Sequence, residues 1–235
     1  MPSATTITKN DRITAALIDL DGTLLDSIPD LAHAANAMRE ELGMAPLTLA
    51  LLTTFVGKGV SVLVQRTLAG QLDASGVPAS QFDPALLVFN RHYHAVNGEK
   101  SSIYPGVIEG LKAMRTQGLQ LALVTNKPEE FTLPLLERTG LTGFFDEIVS
   151  GDTCERKKPD PMPMLHACER LGVSPSQAIA IGDSMNDALA GRAAGMRVLA
   201  VPYGYNEGVD VRNLEVDGIV PTLLEASHWI ARQQH

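Results

Sequence analysis

Two carboxylates, Asp19 and Asp21, stand one residue apart directly after an apolar run, in the segment ALIDLDGT at 16–23. Two carboxylates this close are unfavourable together unless a cation or a shared proton compensates them. The pair is therefore a candidate cation site. The same segment also fits a polar turn that leaves a strand, with Gly22 permitting the bend.

Two further segments carry groups suited to phosphate oxygens. Thr125 and Asn126 end and follow a predicted strand, and a hydroxyl, an amide and backbone N–H groups leading into a helix are suitable donors to phosphate. Lys158 precedes a proline at the predicted start of a helix, so its restricted backbone gives the cation a definite direction. Each of these two segments also has an interpretation without a ligand. Thr and Asn commonly cap helices, and adjacent lysines such as Lys157 and Lys158 are usually solvated.

A second acidic pair, Asp183 and Asp187, lies in the segment GDSMND at 182–187. Asp183 ends an apolar run, and Asp187 faces back towards the same pocket if a helix has begun by then. Carboxylates in a partly hydrated site suit Mg²⁺, although acidic groups also stabilise a helix N-terminus without binding anything. All four segments sit at predicted strand ends, where ligands bind in open α/β sheets, so their conjunction favours one shared site.

Short apolar runs alternate with helical periodicity over most of the chain, which is typical of an α/β fold with a parallel sheet. The predicted strands are 15–20, 119–125, 147–151, 178–183, 197–201 and 218–220. The predicted helices of this part are 107–117, 128–139, 159–171, 185–194 and 222–232.

Between 27 and 98 the pattern is helical throughout, with apolar residues at helical spacing near 31–42 and 63–68 and a further helix predicted at 84–96. This stretch predicts an all-helical insertion that forms a second domain over the end of the sheet. The predicted division is therefore a core of residues 1–26 and 99–235 and an inserted domain of residues 27–98.

Composition excludes several classes of protein. A formal charge of −8 argues against nucleic acid as a partner, because phosphate contacts need a surplus of Lys and Arg. No apolar run is long enough for a membrane span, and the first fifteen residues hold no signal-peptide core. Cys154 and Cys168 read as reduced thiols. We expect a cytoplasmic protein, as a monomer or a homodimer.

The ordered set DxDGT, (S/T)N, Lys-Pro and GDxxxD resembles the pattern of the haloacid dehalogenase-like phosphohydrolases, and it runs from Asp19 to Asp187. The resemblance implies a three-layer, Rossmann-like parallel sheet core and a small mobile cap formed by the helical insertion. Dehalogenases of that superfamily lack a carboxylate at the position of Asp21, so its presence implies phosphate chemistry.

The resemblance also implies a role for each acidic residue. Asp19 would attack phosphorus and form an aspartyl-phosphate, and Asp21 would protonate the leaving group and then activate water. Magnesium would be held by the Asp19 carboxylate, the Asp21 backbone carbonyl and the Asp183 carboxylate. Asp187 would lie behind these ligands and orient metal-bound water or Lys158.

The remaining candidates would bind the substrate, a small phosphate ester. Gly22, Thr125, Asn126 and Lys158 would hold the phosphoryl group, with Lys158 also acting in catalysis as charge redistributes. Lys58, in the turn FVGKG at 55–59, would reach a substrate carboxylate from the cap.

The runs DLDGTLLDSIPDL at 19–31, FVGKG and GYN at 204–206 are similar to those of phosphoglycolate phosphatases. This similarity implies hydrolysis of 2-phosphoglycolate to glycolate and phosphate. A phosphatase or phosphomutase acting on a small sugar phosphate would keep the same core motifs. A regulator that binds phosphate without turning it over is the alternative from outside the enzymes.

Overall fold

The computed structural model describes residues 12–233. Its strands are β1 (Ala15–Ile18), β2 (Leu25–Asp26), β3 (Ser102–Ile103), β4 (Gln120–Val124), β5 (Glu147–Val149), β6 (Ala178–Gly182), β7 (Arg197–Ala200) and β8 (Gly218–Ile219). Its α-helices are α1 (Ile28–Glu41), α2 (Leu49–Thr53), α3 (Val60–Ala69), α4 (Ala79–Val96), α5 (Val107–Thr116), α6 (Glu129–Thr139), α7 (Met162–Leu171), α8 (Met185–Ala193) and α9 (Leu223–Arg232). Residues 1–11 of the predicted core lie outside the described residues. Across 12–233, no helix is both long and apolar enough to cross a bilayer.

The main sheet is parallel, with the strand order β5-β4-β1-β6-β7-β8 and β1 near its centre. Alternate residues of β1 point to opposite faces, as the period of a strand requires. Ala16 and Ile18 join an apolar cluster with α5, α6 and α9, whereas Ala15 and Leu17 join another with α7 and α8. Helices therefore cover both faces of the sheet, which confirms the predicted three-layer α/β core.

Each predicted strand of this sheet is present, but each ends one or two residues earlier than predicted. As a result Asp19, Thr125 and Asp183 stand just beyond the last paired residue of β1, β4 and β6. The physical reason is that both faces of the sheet are apolar, so a polar side chain finds partners only past its edge.

Two helix boundaries also differ from the prediction. Helix α7 begins at Met162 rather than at 159, because residues 159–161 form a turn in which the Asp160 carboxylate accepts the Met162 N–H at 2.9 Å. Helix α4 begins at Ala79 rather than at 84 and includes Pro84, whose missing N–H removes one helical hydrogen bond without ending the helix.

Residues 27–98, hereafter the helical insertion, contain α1–α4 and pack around their own apolar cluster. Entry and exit of the insertion are tied by the antiparallel pair β2–β3, which the sequence did not predict. The buried Asp30 carboxylate strengthens this tie by accepting backbone N–H groups of Gly98, Lys100 and Ser101 at 3.1, 2.9 and 2.9 Å. The short helix α2 was also not predicted. The division of the chain into two domains stays a prediction.

Candidate active site

Three carboxylates meet beyond the carboxyl ends of β1 and β6. Asp19 follows β1, and its N–H still donates to the Ile181 carbonyl of β6 at 3.0 Å. Asp183 follows β6, and Asp187 lies in the first turn of α8. One oxygen from each of the three lies within 4.8 Å of the others, so three of the four predicted acidic residues form one cluster that could bind a metal ion.

Asp183 is held at this cluster by two donors. The Thr23 hydroxyl donates to Oδ1 at 3.0 Å and the Tyr205 backbone N–H donates to Oδ2. Gly22, with φ of +89°, and Gly204 approach so closely that a Cβ on either would overlap the Asp183 carboxylate. Burial, together with the charges of Asp187 and Asp19, raises the pKa of Asp183 well above its ordinary value.

Lys158 joins two members of the cluster. Its ammonium donates to Asp19 Oδ1 at 2.8 Å, to Asp187 Oδ1 at 2.6 Å and to the Val124 carbonyl at 2.7 Å. Burial raises the pKa of Asp19 to about 7, although the Lys158 charge opposes that rise. Burial alone would lower the pKa of Lys158, but the charges of Asp187 and Asp19 hold it above the ordinary value.

Asp187 uses both oxygens on protein donors. Oδ1 accepts Lys158, and Oδ2 accepts the Ser184 N–H at 3.1 Å and the Ser184 hydroxyl at 2.7 Å. These bonds form a capping box at the start of α8. Asp187 therefore both begins the helix and fixes the ammonium of Lys158.

The side chains of Thr125 and Asn126 are both hydrogen-bonded within the protein. The Thr125 hydroxyl accepts the Lys127 N–H at 3.2 Å. The Asn126 amide donates to the carbonyls of Lys158 and Gly57 at 2.9 and 3.0 Å, and its oxygen accepts the Lys158 N–H at 2.9 Å. The Asn126 side chain thus fixes the Lys158 loop and the helical insertion, a role that its place in the sequence does not reveal.

Asp21 lies apart from the acidic cluster and has its own cation. The Lys127 ammonium lies 3.1 Å from both Asp21 oxygens, and the Ser27 hydroxyl donates to Oδ1 at 2.6 Å. The ring of Tyr93, from α4, faces the ammonium at 4.8 Å from its centroid. Sequence reasoning missed Lys127 as a site residue, although it directly follows the Thr-Asn pair at the end of β4.

Lys58, which the sequence predicted to reach a substrate carboxylate, pairs with Glu207 in this structure, and its role towards substrate stays a prediction. Its ammonium pairs with Glu207 at 3.0 Å, and the same carboxylate accepts Arg66 at 2.8 Å. The Lys58 side chain is 39% exposed, so this ion pair is a contact between the insertion and the core rather than a lining group of the cavity.

A small cavity, about 30 Å³ in volume, separates the insertion from the strand ends. The core contributes Asp19, Asp21, Asn126 and Lys127 to its walls. The insertion contributes carbon-rich walls, namely Leu31, Val56, Gly57, Gly59, Val60 and Leu63. The cavity therefore presents two carboxylates and one ammonium against a largely apolar lid.

Comparisons with known proteins agree with this arrangement. Residues 16–201 match the family model of haloacid dehalogenase-like hydrolases. The chain is 52% identical to a phosphoglycolate phosphatase of Nitrosospira multiformis, covering 94% of this chain and 96% of that protein. It is 49% identical to a phosphoglycolate phosphatase of Thiobacillus denitrificans, with the same coverage. A crystal structure described as a predicted phosphoglycolate phosphatase, from Haemophilus somnus, superposes with a TM-score of 0.86 at 31% identity, covering 92% of this chain and 97% of that one.

Proposed function

This chain belongs to the haloacid dehalogenase-like hydrolase family, and we propose that it hydrolyses 2-phosphoglycolate to glycolate and phosphate through an aspartyl-phosphate. The observation that carries the proposal is the small cavity in which Asp19 and Asp21 face an apolar lid. The names of the relatives, at about half the residues identical, support the same substrate.

The residues of the cavity divide the reaction into two steps. Asp19 Oδ attacks phosphorus, so an Asp19–phosphorus bond forms as the bond to the glycolate oxygen breaks, while Asp21 donates a proton to that oxygen. Water then attacks the aspartyl-phosphate, Asp21 accepts its proton, and phosphate is released. The Lys158 ammonium, fixed by Asp187, lies 2.8 Å from Asp19 and compensates the negative charge at that residue during both transfers.

The acidic cluster fits a divalent cation, and we propose Mg²⁺. Buried carboxylates this close, with raised pKa values at Asp19 and Asp183, are unfavourable until a cation compensates them. Asp19 and Asp183 would hold the ion with the Asp21 backbone carbonyl, and oxygen ligands of this kind suit Mg²⁺. When bound, the ion draws the anionic nucleophile and the anionic phosphate together.

The walls of the cavity favour a small substrate. Leu31, Val56, Val60 and Leu63 offer only carbon to whatever lies beyond the phosphate. The several hydroxyl groups of a sugar phosphate would be buried there without hydrogen-bond partners, which is costly, whereas 2-phosphoglycolate has no hydroxyl groups to bury.

A panel of phosphate esters tests this assignment. We expect kcat/KM for 2-phosphoglycolate to exceed that for sugar phosphates and pyrophosphate by about tenfold or more. Activity should vanish when the protein is freed of metal and return with magnesium. A tenfold preference for a sugar phosphate would contradict the substrate assignment but not the aspartyl-phosphate mechanism. Formation of an isomer in place of free phosphate would instead identify a phosphomutase.

A further inference from the structure

The cavity that holds Asp19 and Asp21 has a single ammonium among its lining residues, that of Lys127. Its side chain is only 2% exposed, although burying an ammonium is expensive unless an anion accompanies it. The carboxylate that accompanies it is Asp21. Lys158, by contrast, already donates to two carboxylates and a carbonyl.

The geometry of the proposed reaction places a substrate anion beside Lys127. Asp21 must lie within hydrogen-bond distance of the leaving oxygen in order to protonate it. The carboxylate of glycolate begins two bonds beyond that oxygen. Because the Lys127 ammonium lies 3.1 Å from the Asp21 oxygens, it is within reach of this carboxylate as well.

We propose that Lys127 binds the carboxylate of the substrate and so selects phosphate esters whose leaving group is an acid. The inference rests on the proposed function and assigns a specificity-determining residue to it. The Tyr93 ring, whose centroid lies 4.8 Å from the ammonium, stabilises the cation as well. Lys58, the residue that the sequence favours for this role, is paired with Glu207 outside the cavity.

The experiment compares two substrates that differ in the carboxylate alone. These are 2-phosphoglycolate and 2-hydroxyethyl phosphate, in which a hydroxymethyl group replaces the carboxylate. Lys127→Gln removes the charge while keeping an N–H donor for Asp21. We expect the ratio of kcat/KM for the acid over that for the alcohol to fall by about 100-fold in this variant, as for a buried charge pair that loses one partner.

Lys58→Gln is the matched control. It removes an equal charge from the partly exposed pair with Glu207, so the ratio should change by no more than about threefold. If Lys127→Gln lowers kcat/KM equally for both substrates, Lys127 acts only through Asp21. This result would overturn the proposal. A collapse of the ratio in Lys58→Gln would overturn it as well.

Failure of the proposed function and failure of the Lys127 role give different results. If the wild-type protein does not prefer 2-phosphoglycolate over the phosphate-ester panel, the proposed function fails. If it does and Lys127→Gln keeps the wild-type ratio, only the role of Lys127 fails. A crystal structure of Asp19→Asn with magnesium and 2-phosphoglycolate does not depend on the folding of Lys127→Gln. The substrate carboxylate on the Lys127 ammonium supports the inference, and its placement on another residue contradicts it.

Discussion

Burial and the neighbouring Lys158 charge shift the pKa of Asp19 in opposite directions. Burial favours its protonated form, while the Lys158 ammonium at 2.8 Å favours the carboxylate. Asp187 shares that ammonium and Asp183 lies close by, so the three acidic groups exceed the positive charge available to them within the cluster. A nucleophile held in this way is ready for a cation, because the cation relieves the repulsion and leaves Asp19 ionised.

Replacing Asp19 with Asn should abolish turnover while leaving the fold intact. Asn keeps the size of the side chain but cannot form the aspartyl-phosphate, so we expect kcat to fall by about 10⁴-fold or more. Phosphate release from 2-phosphoglycolate measures the loss, and circular dichroism checks the fold. Asp217→Asn, a partly exposed surface substitution away from the cluster, is the control. Activity near the wild-type level in Asp19→Asn would contradict the assignment of the nucleophile.

The acidic cluster should also make stability depend on pH and on magnesium. The pKa of Asp19 is about 7 in the fold against an ordinary 3.8, so between these values the folded state binds more protons than the unfolded state. The free energy of unfolding of the metal-free protein should therefore fall as the pH rises through this window. Asp19 alone would contribute about 2 kcal/mol between pH 5 and pH 8, and Asp183 acts in the same direction.

Urea denaturation at pH 5 and pH 8, with EDTA or with magnesium, measures this dependence. The difference in unfolding free energy between wild type and Asp19→Asn isolates the contribution of Asp19. Because magnesium binds the ionised carboxylates, it should stabilise the wild-type protein more at pH 8 than at pH 5. Equal stabilisation at both values would show that the cluster does not hold the ion.

The acidic residues and Lys158 could be predicted from the sequence, whereas the partners of Lys58 and Lys127 could not. Asp19 and Asp183 each follow an apolar run that forms a strand, and these two strands, β1 and β6, are neighbours in the sheet. Residue type and position after a strand were therefore sufficient to predict that they lie in the site. Lys58 and Lys127 are both plausible cations by type. What separates them is a partner far away in sequence, because Glu207 binds Lys58 and Asp21 binds Lys127.

The turn between α2 and α3 brings the insertion against the strand ends. The Gly57 carbonyl accepts the amides of Asn126 and Asn186 at 3.0 and 3.3 Å. Gly59, with φ of +85°, passes so near the Asn126 backbone that a Cβ would lie 2.8 Å from its carbonyl oxygen. These contacts explain why position 59 has no side chain: the backbone of the turn packs directly against the backbone at Asn126 to close the cavity.

Gly59→Ala should therefore impair catalysis more than it impairs folding. The added methyl group pushes the turn away from the core, and we expect kcat/KM to fall by about 10- to 100-fold, as displacements near 1 Å do elsewhere. Gly43→Ala is the matched control, because Gly43 has a positive φ of 70° but nothing within 4 Å of an added Cβ. Gly59→Ala should also lose more thermal stability than Gly43→Ala, because its added Cβ lies 2.8 Å from the Asn126 carbonyl oxygen, so activity is compared at a temperature at which both variants are folded. A similar loss of activity in both would show that backbone strain, not the close approach, is responsible.

Short elements escaped prediction for a physical reason. Strands β2 and β3 have two residues each, too few to show the alternation that marks a strand, and their pairing joins segments separated by the whole insertion. The five-residue helix α2 is likewise shorter than two helical turns. The long helices and strands β1, β4, β6 and β7 were found because each buries several apolar residues.

The whole molecule, as the structure shows it, is closed around the candidate site. A cavity of about 30 Å³ holds one or two water molecules and is too small for a phosphate ester. The insertion is held against the core by the Glu207 ion pairs with Lys58 and Arg66, by neutral hydrogen bonds from Asn side chains, and by apolar contacts of Phe131 and Tyr205. Because the closed cavity is too small for a phosphate ester, substrate must enter while the insertion is raised.

The strand pair β2–β3 is the place where both connections between insertion and core could bend together. We propose that residues 27–98 move as one unit.

Hydrogen exchange should detect this movement. In Asp19→Asn with magnesium, adding 2-phosphoglycolate should slow exchange in residues 55–60 of the insertion and 203–207 of the core, because closure buries both. Strands β1 and β6 are already buried and paired, so their exchange should not change. Magnesium without substrate is the control and should leave 55–60 exchanging quickly. Slowing confined to the strand-end loops would mean that substrate enters without moving the insertion. In that event the insertion would form part of the cavity wall but would not control substrate entry.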